Sequence, residues 1–156
     1  MYVVKIDKNE YTENGQKHEV WGYAIYNNTE CVKKEVIKAR AKENDTRVMR
    51  YVRCYQWALQ RVVGYFNVTP LASDEINIYF TNYNVIQWLE SGDINKLYRL
   101  SMSKVTGYID ELPHSTVKLC PAERSWGFRK TLKIETVPRN DGYSKLTDFI
   151  KTITEA

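Results

Sequence analysis

The segment Ile76–Glu90, INIYFTNYNVIQWLE, changes its rhythm halfway along. Ile76, Ile78 and Phe80 alternate with Asn77, Tyr79 and Thr81, the period-two pattern of a half-buried strand. Beyond Tyr83, the apolar residues Val85, Ile86 and Leu89 recur at helical spacing. Between them lies Thr81-Asn82-Tyr83, a polar turn without a charge. A strand running directly into a helix predicts an α/β chain, and a polar turn at a strand end is a frequent place for chemistry.

Three strands are predicted before this segment. MYVVKI (1–6) leads into a polar loop containing Asn14-Gly15, and VWGYAIY (20–26) ends at a turn over Asn27-Asn28-Thr29. CVKKEVIKA (31–39) carries a charged face and reads as an edge strand. Asp45 or Thr46 is placed to cap a long helix reaching about Phe66. After the turn and its short helix, Ser91-Gly92 breaks the run, and Asp93 is expected to cap a further helix. Ile94, Tyr98, Met102, Val105, Ile109 and Leu112 share its apolar face, and Pro113 stops it. STVKLC (115–120) reads as a fifth strand. The closing helix, from about Tyr143, has Leu146, Ile150 and Ile153 on its stripe, after a connection over 121–142 with room for a strand at 131–137. The expected architecture is α/β: one domain over residues 1–156, a mixed five-stranded sheet with helices packed on it.

A chain of 156 residues can bury a real core, and 43% hydrophobic with 27% charged residues is ordinary globular composition. No apolar run approaches the roughly 20 residues that span a bilayer, and the N-terminus lacks a signal-peptide layout. A cytoplasmic location without membrane contact is expected. Cys31, Cys54 and Cys120 are far apart and read as isolated reduced thiols, and His18 and His114 read as surface residues. No Gly-rich phosphate loop, Cys/His metal cluster or nucleophile motif is present.

The net charge of +4 is concentrated: Thr46–Phe66 holds four arginines and no acid. On this helix Val48, Val52, Tyr55, Leu59, Val62 and Phe66 are spaced for burial. Arg47, Arg50, Cys54, Trp57 and Arg61 form a second stripe about 140° away by the helical period, expected to face outward. Arginine forks suit phosphates, and a tryptophan among them can stack on a base or hold a guanidinium. The plainer reading is that Trp57 packs on a neighbouring element while the arginines pair with surface acids. A second basic-aromatic surface is RSWGFRKTLK, with Arg124, Trp126, Arg129 and Lys130.

The element order, with VVKID, WGYAIY, FTNYNVIQWL and SKLTDFI, resembles the ribonuclease H-like fold of ribonuclease H and retroviral integrase, βββαβαβα, over nearly the whole chain. The resemblance is one of pattern and order. It places Asp7 at the family's first carboxylate, Asn82 where the fourth strand carries an Asp, and Asp148 at the final carboxylate. The family's helix Glu would fall near Met49–Tyr51, where this chain has Arg50. The family's loop histidine has no counterpart among residues 121–142. What the resemblance implies for the reaction is two-metal phosphodiester hydrolysis, which needs anionic oxygens around Mg²⁺. Asp7 and Asp148 alone could hold at most one ion loosely.

The resulting expectation is a catalytically degenerate ribonuclease H-like domain, a pseudoenzyme without cofactor. It would bind RNA, DNA or their hybrid through Arg47, Arg50, Trp57 and Arg61 of the helix and Arg124, Trp126, Arg129 and Lys130 of the loop. Two alternatives stay open. One is a protein-interaction or homodimerisation domain anchored by exposed Trp and Arg. The other is a residual Mg²⁺- or Mn²⁺-dependent nuclease using Asp7, Asp148 and a further acid such as Glu10 or Asp74.

Overall fold

The computed structural model describes residues 1–40, 42–69, 75–112 and 117–120. The connection over 121–142 and the closing helix lie outside these residues. Strand β1 (Tyr2–Glu13) and strand β2 (Gln16–Asn27) form an antiparallel hairpin in register from Tyr2↔Asn27 to Glu13↔Gln16. Its two-residue turn is Asn14-Gly15, with φ of 52° and 75°. Asn-Gly accepts these positive angles readily, and their twist matches that of the flanking strands. The hairpin corrects the expectation that the first strand ends at Ile6 in a polar loop. The tight turn lets the polar stretch 7–13 continue the ladder, so Asp7 sits in mid-strand.

Strand β3 (Glu30–Arg40) pairs antiparallel with β2, its register shifting at Ile25/Tyr26. Strand β4 (Ile76–Tyr79) joins β1 in parallel, and strand β5 (Val117–Cys120) joins β4 in parallel. The sheet order is β3-β2-β1-β4-β5, the mixed five-stranded sheet expected, with β3 at one end.

Helix α1 (Arg47–Val68) is capped by Thr46, whose side chain accepts from Met49 N at 3.1 Å. It packs on the sheet face made by Tyr2, Val4, Ile6, Tyr23 and Ile25, all buried. Edge-to-face pairs Tyr2–Phe66 (5.1 Å) and Tyr55–Phe80 (4.8 Å) fix its height over the strands. Helix α2 (Tyr83–Ser91) ends at Gly92 in the left-handed conformation, with the Gly92 N–H donating to Trp88 O. A 3₁₀ turn (Lys96–Tyr98) then leads into helix α3 (Arg99–Glu111). Here the cap differs from expectation. The Asp93 N–H turns back to Ser91 Oγ (3.1 Å), and Asn95 caps the turn instead by accepting from Leu97 N at 3.0 Å. Met102, Val105 and Leu112 still close the core from α3, and Gln56 Nε2 ties α1 to α3 through Ser101 O at 2.8 Å. Among the described residues no helix is long and apolar enough to cross a membrane.

Candidate functional site

The mid-strand residues of β1, the β4–α2 turn and the first turns of α1 meet at one end of the sheet. Asp7 is 1% exposed, and its Oδ1 accepts from Thr81 Oγ1 at 2.9 Å and from the Lys8 N–H at 2.8 Å. Cys54 Sγ of α1 donates to Asp7 O at 3.8 Å. Its thiol pKa is pushed well up, first by burial and then by the charge of Asp7.

Tyr55, one residue further along α1, reaches the turn. Its Oη accepts from the backbone N–H of Thr81 (3.0 Å) and of Asn82 (2.8 Å), and lies 3.2 Å from Thr81 Oγ1. Full burial raises the phenol's pKa, so it remains a neutral hydrogen-bonding group. The Asn82 side chain is committed locally: Oδ1 accepts from Val85 N at 3.1 Å and caps α2. The amide at this turn therefore has a helix-capping job of its own.

On the opposite face of β1 the alternation Ile6, Lys8, Glu10 carries the strand from core into charge. Lys8 Nζ lies 2.9 Å from Glu19 Oε1, 3.0 Å from Glu10 Oε1 and 4.5 Å from the Tyr51 ring centroid. Arg50 Nη1 lies 3.5 Å from the same Glu10 oxygen. The side chains of Lys8 and Glu19 are each 2% exposed, so this pair is fully removed from water. Burial opposes the Lys8 charge, but Glu19 and Glu10 outweigh it and leave its pKa raised. Burial likewise opposes the Glu10 charge, but Lys8 and Arg50 outweigh it and leave its pKa lowered. Arg50 Nε is buried without a hydrogen-bond partner, one turn along α1 from the Cys54 that touches Asp7.

Asp7 is tied to the β4–α2 turn that holds Asn82 through Thr81, while Arg50 lies with Lys8 and Glu10 on the other face of β1. The structure does not support a single outward stripe on α1. Cys54 is fully buried, and Trp57 is half-buried against Trp21 (6.1 Å) and Tyr23 (5.4 Å). The reason is width: α1 buries residues 51, 52, 54, 55, 58, 59, 62, 63 and 66, a broader stripe than one row of apolar residues predicts. Arg47 is exposed at the first turn, and Arg61 is exposed near the other end. Asp148, Arg124, Trp126, Arg129 and Lys130 lie outside the described residues. The Lys8–Glu19 pair went unread in the sequence. Its signal is the register Glu10↔Glu19 and Lys8↔Trp21, which only the Asn14-Gly15 turn fixes.

No family model and no curated protein sequence matches the chain. Solved structures do. An RNase H1 isolated from compost, LC11-RNase H1, aligns with TM-score 0.59 at 11% identity over 94% of this chain and 97% of that one. The fold is ribonuclease H-like. The same LC11-RNase H1 in complex with an RNA/DNA hybrid aligns at TM-score 0.53 and 10% identity, over 80% of this chain and 88% of that one. The N-terminal RNase H domain of a Mycobacterium tuberculosis protein aligns at TM-score 0.53 and 11% identity, over 95% and 98%. At such identities the ribonuclease H likeness is one of fold.

Proposed function

We propose that this ribonuclease H-like domain binds nucleic acid without cleaving it. The observation that carries the reading is the pair of cations at the site: Lys8 is locked between Glu19 and Glu10, and Arg50, near which the resemblance puts the family's helix Glu, reaches the same Glu10 oxygen. A pair of hard divalent ions needs several anionic oxygens turned toward it. The described residues do not fit that group: the carboxylates of Glu10 and Glu19 are already held by Lys8. Asp7 is sealed and engaged by Thr81, Asn82 offers a neutral amide that already caps α2, and the guanidinium adds positive charge. Among the described residues no cluster of three His, Cys, Asp or Glu could hold a metal.

Binding is proposed through phosphates, by exposed Arg47 and by Arg50 at the first turns of α1, with Arg124, Trp126, Arg129 and Lys130 of the 121–142 connection. The hybrid held by the LC11-RNase H1 supports hybrid-shaped duplexes as the ligand to test first. Trp57 acts as packing support under α1 rather than as a stacking platform. The experiment is a titration of labelled RNA–DNA hybrid against salt, with Mg²⁺ or Mn²⁺ present and product analysed on a gel. Expected are intact hybrid and an affinity that falls as salt rises. Absence of binding at low salt, or salt-independent binding, overturns the binding claim. Cleavage lost in Asp7→Asn overturns the non-catalytic claim.

A further inference from the structure

A groove of about 490 Å³ opens between β3 and the C-terminal half of α1, at the far end of the helix from Asp7 and Arg50. Tyr23 and Glu35 are paired across β2 and β3, and the buried Tyr23 hydroxyl donates to Glu35 Oε2. The other carboxylate oxygen, Oε1, has no protein partner among the described residues, and Glu35 lines the groove. Lys33 precedes Glu35 at the neighbouring position on the same strand face, and Arg61 approaches from α1, close enough for its charge to act on the Tyr23 phenol. Gly64 leaves the helix wall bare, with nothing within 4 Å of where a side chain would begin, and Tyr65 adds a half-buried ring beside it.

This lining selects a ligand by its two ends. A purely anionic ligand meets the Glu35 carboxylate, and a purely cationic one meets Lys33 and Arg61. A molecule with an anionic end, a flat body and a donor-bearing edge satisfies all three groups. We propose that the groove binds a nucleoside 5′-monophosphate unit, free or at the end of an unpaired strand, with Glu35 receiving the amino-bearing edge of the base and Arg61 and Lys33 the phosphate. Guanine is the best match, because its ring N–H and exocyclic amino group sit side by side and can both donate to one carboxylate. Uracil presents a single N–H flanked by two carbonyl oxygens that a carboxylate repels. A paired duplex offers no such free edge. The proposal stands apart from the duplex binding argued above, which uses the opposite end of α1.

The test is an NMR titration of the whole chain with 5′-GMP, 5′-UMP, ribose 5-phosphate and a short single strand beginning with a 5′-phosphorylated guanosine. Saturable shifts are expected at residues 33–35 and 60–65, with GMP about tenfold tighter than UMP, the worth of one good charge-assisted hydrogen bond. Glu35→Gln still accepts the Tyr23 hydroxyl, and should bring GMP and UMP together while leaving ribose 5-phosphate unchanged. Arg61→Ala should weaken all phosphate-bearing ligands by about tenfold. A strand tighter than GMP identifies a strand end as the ligand, and one no tighter identifies the free nucleotide; both uphold the site. Equal binding of GMP, UMP and ribose 5-phosphate by the unmodified protein would reduce the groove to an anion patch and overturn the proposal. So would shifts that do not saturate by about 10 mM, beyond the weakest useful affinity. Hybrid binding by Glu35→Gln, measured alongside, should be unchanged, so the two readings fail separately.

Discussion

Lys8 is the residue on which the site's electrostatics turn. Its ammonium is the counter-charge for Glu19, and both side chains are 2% exposed. Lys8→Met removes the cation but leaves a buried carboxylate, and should lower unfolding free energy by about 3–5 kcal/mol, read as a lower urea midpoint at unchanged slope. Adding Glu19→Leu should return most of that loss, because a buried pair replaced by apolar groups of similar size is often neutral. The same cluster sets a pH dependence at both ends. The lowered pKa of Glu10 contributes stability that is complete above the ordinary glutamate value of 4.5 and is lost as pH falls through the lower folded value. The raised pKa of Lys8 contributes stability that is complete below the ordinary 10.5 and is lost as pH rises through the higher folded value. Thermal melts across pH should therefore show a plateau between these limits, and Glu10→Gln should shallow the acid side only.

At the scale of elements, Tyr55 is the clamp that sets α1 against the β4–α2 turn. Its hydroxyl oxygen satisfies two backbone N–H groups at once, those of Thr81 and Asn82. Tyr55→Phe keeps the ring packed on Phe80 but strands those donors, and should cost about 1–3 kcal/mol in a chemical melt. Hydrogen exchange at the amides of Thr81 and Asn82 should accelerate more than that of the α1 core. The elements themselves were largely legible in the sequence, since alternation over 76–80 and helical spacing over 48–66 each specify one buried face. Two things escaped. The length of β1 was hidden because Asp7 to Glu13 is polar, and only its pairing through the tight turn makes it strand. The burial of Cys54 was hidden because it sits among arginines, whereas Trp57 follows the plainer reading and packs on Trp21 and Tyr23. Asn82 illustrates a third case, in which one residue suits both a lost carboxylate and an ordinary helix cap.

For the whole molecule, the reading of the site makes a thermodynamic prediction independent of any nucleic acid. A ligand that binds only the folded state raises its melting temperature. Millimolar Mg²⁺ or Mn²⁺ should leave the melting temperature of this ribonuclease H-like domain where an equal ionic strength of sodium salt leaves it. A rise specific to the divalent ion would indicate a metal site and remove the argument from charge. The Lys8–Glu19–Glu10–Arg50 cluster also constrains the order in which sequence changes can be accepted. An acid introduced at position 50 alone would join Glu10 and Glu19 around a single ammonium, so the first step toward a carboxylate-rich site is uphill in folding. Neutralising Glu10 beforehand lowers that step. Any lineage sharing this cluster thus meets a constraint of order, in which the fold itself, rather than the chemistry it hosts, filters which substitutions can come first.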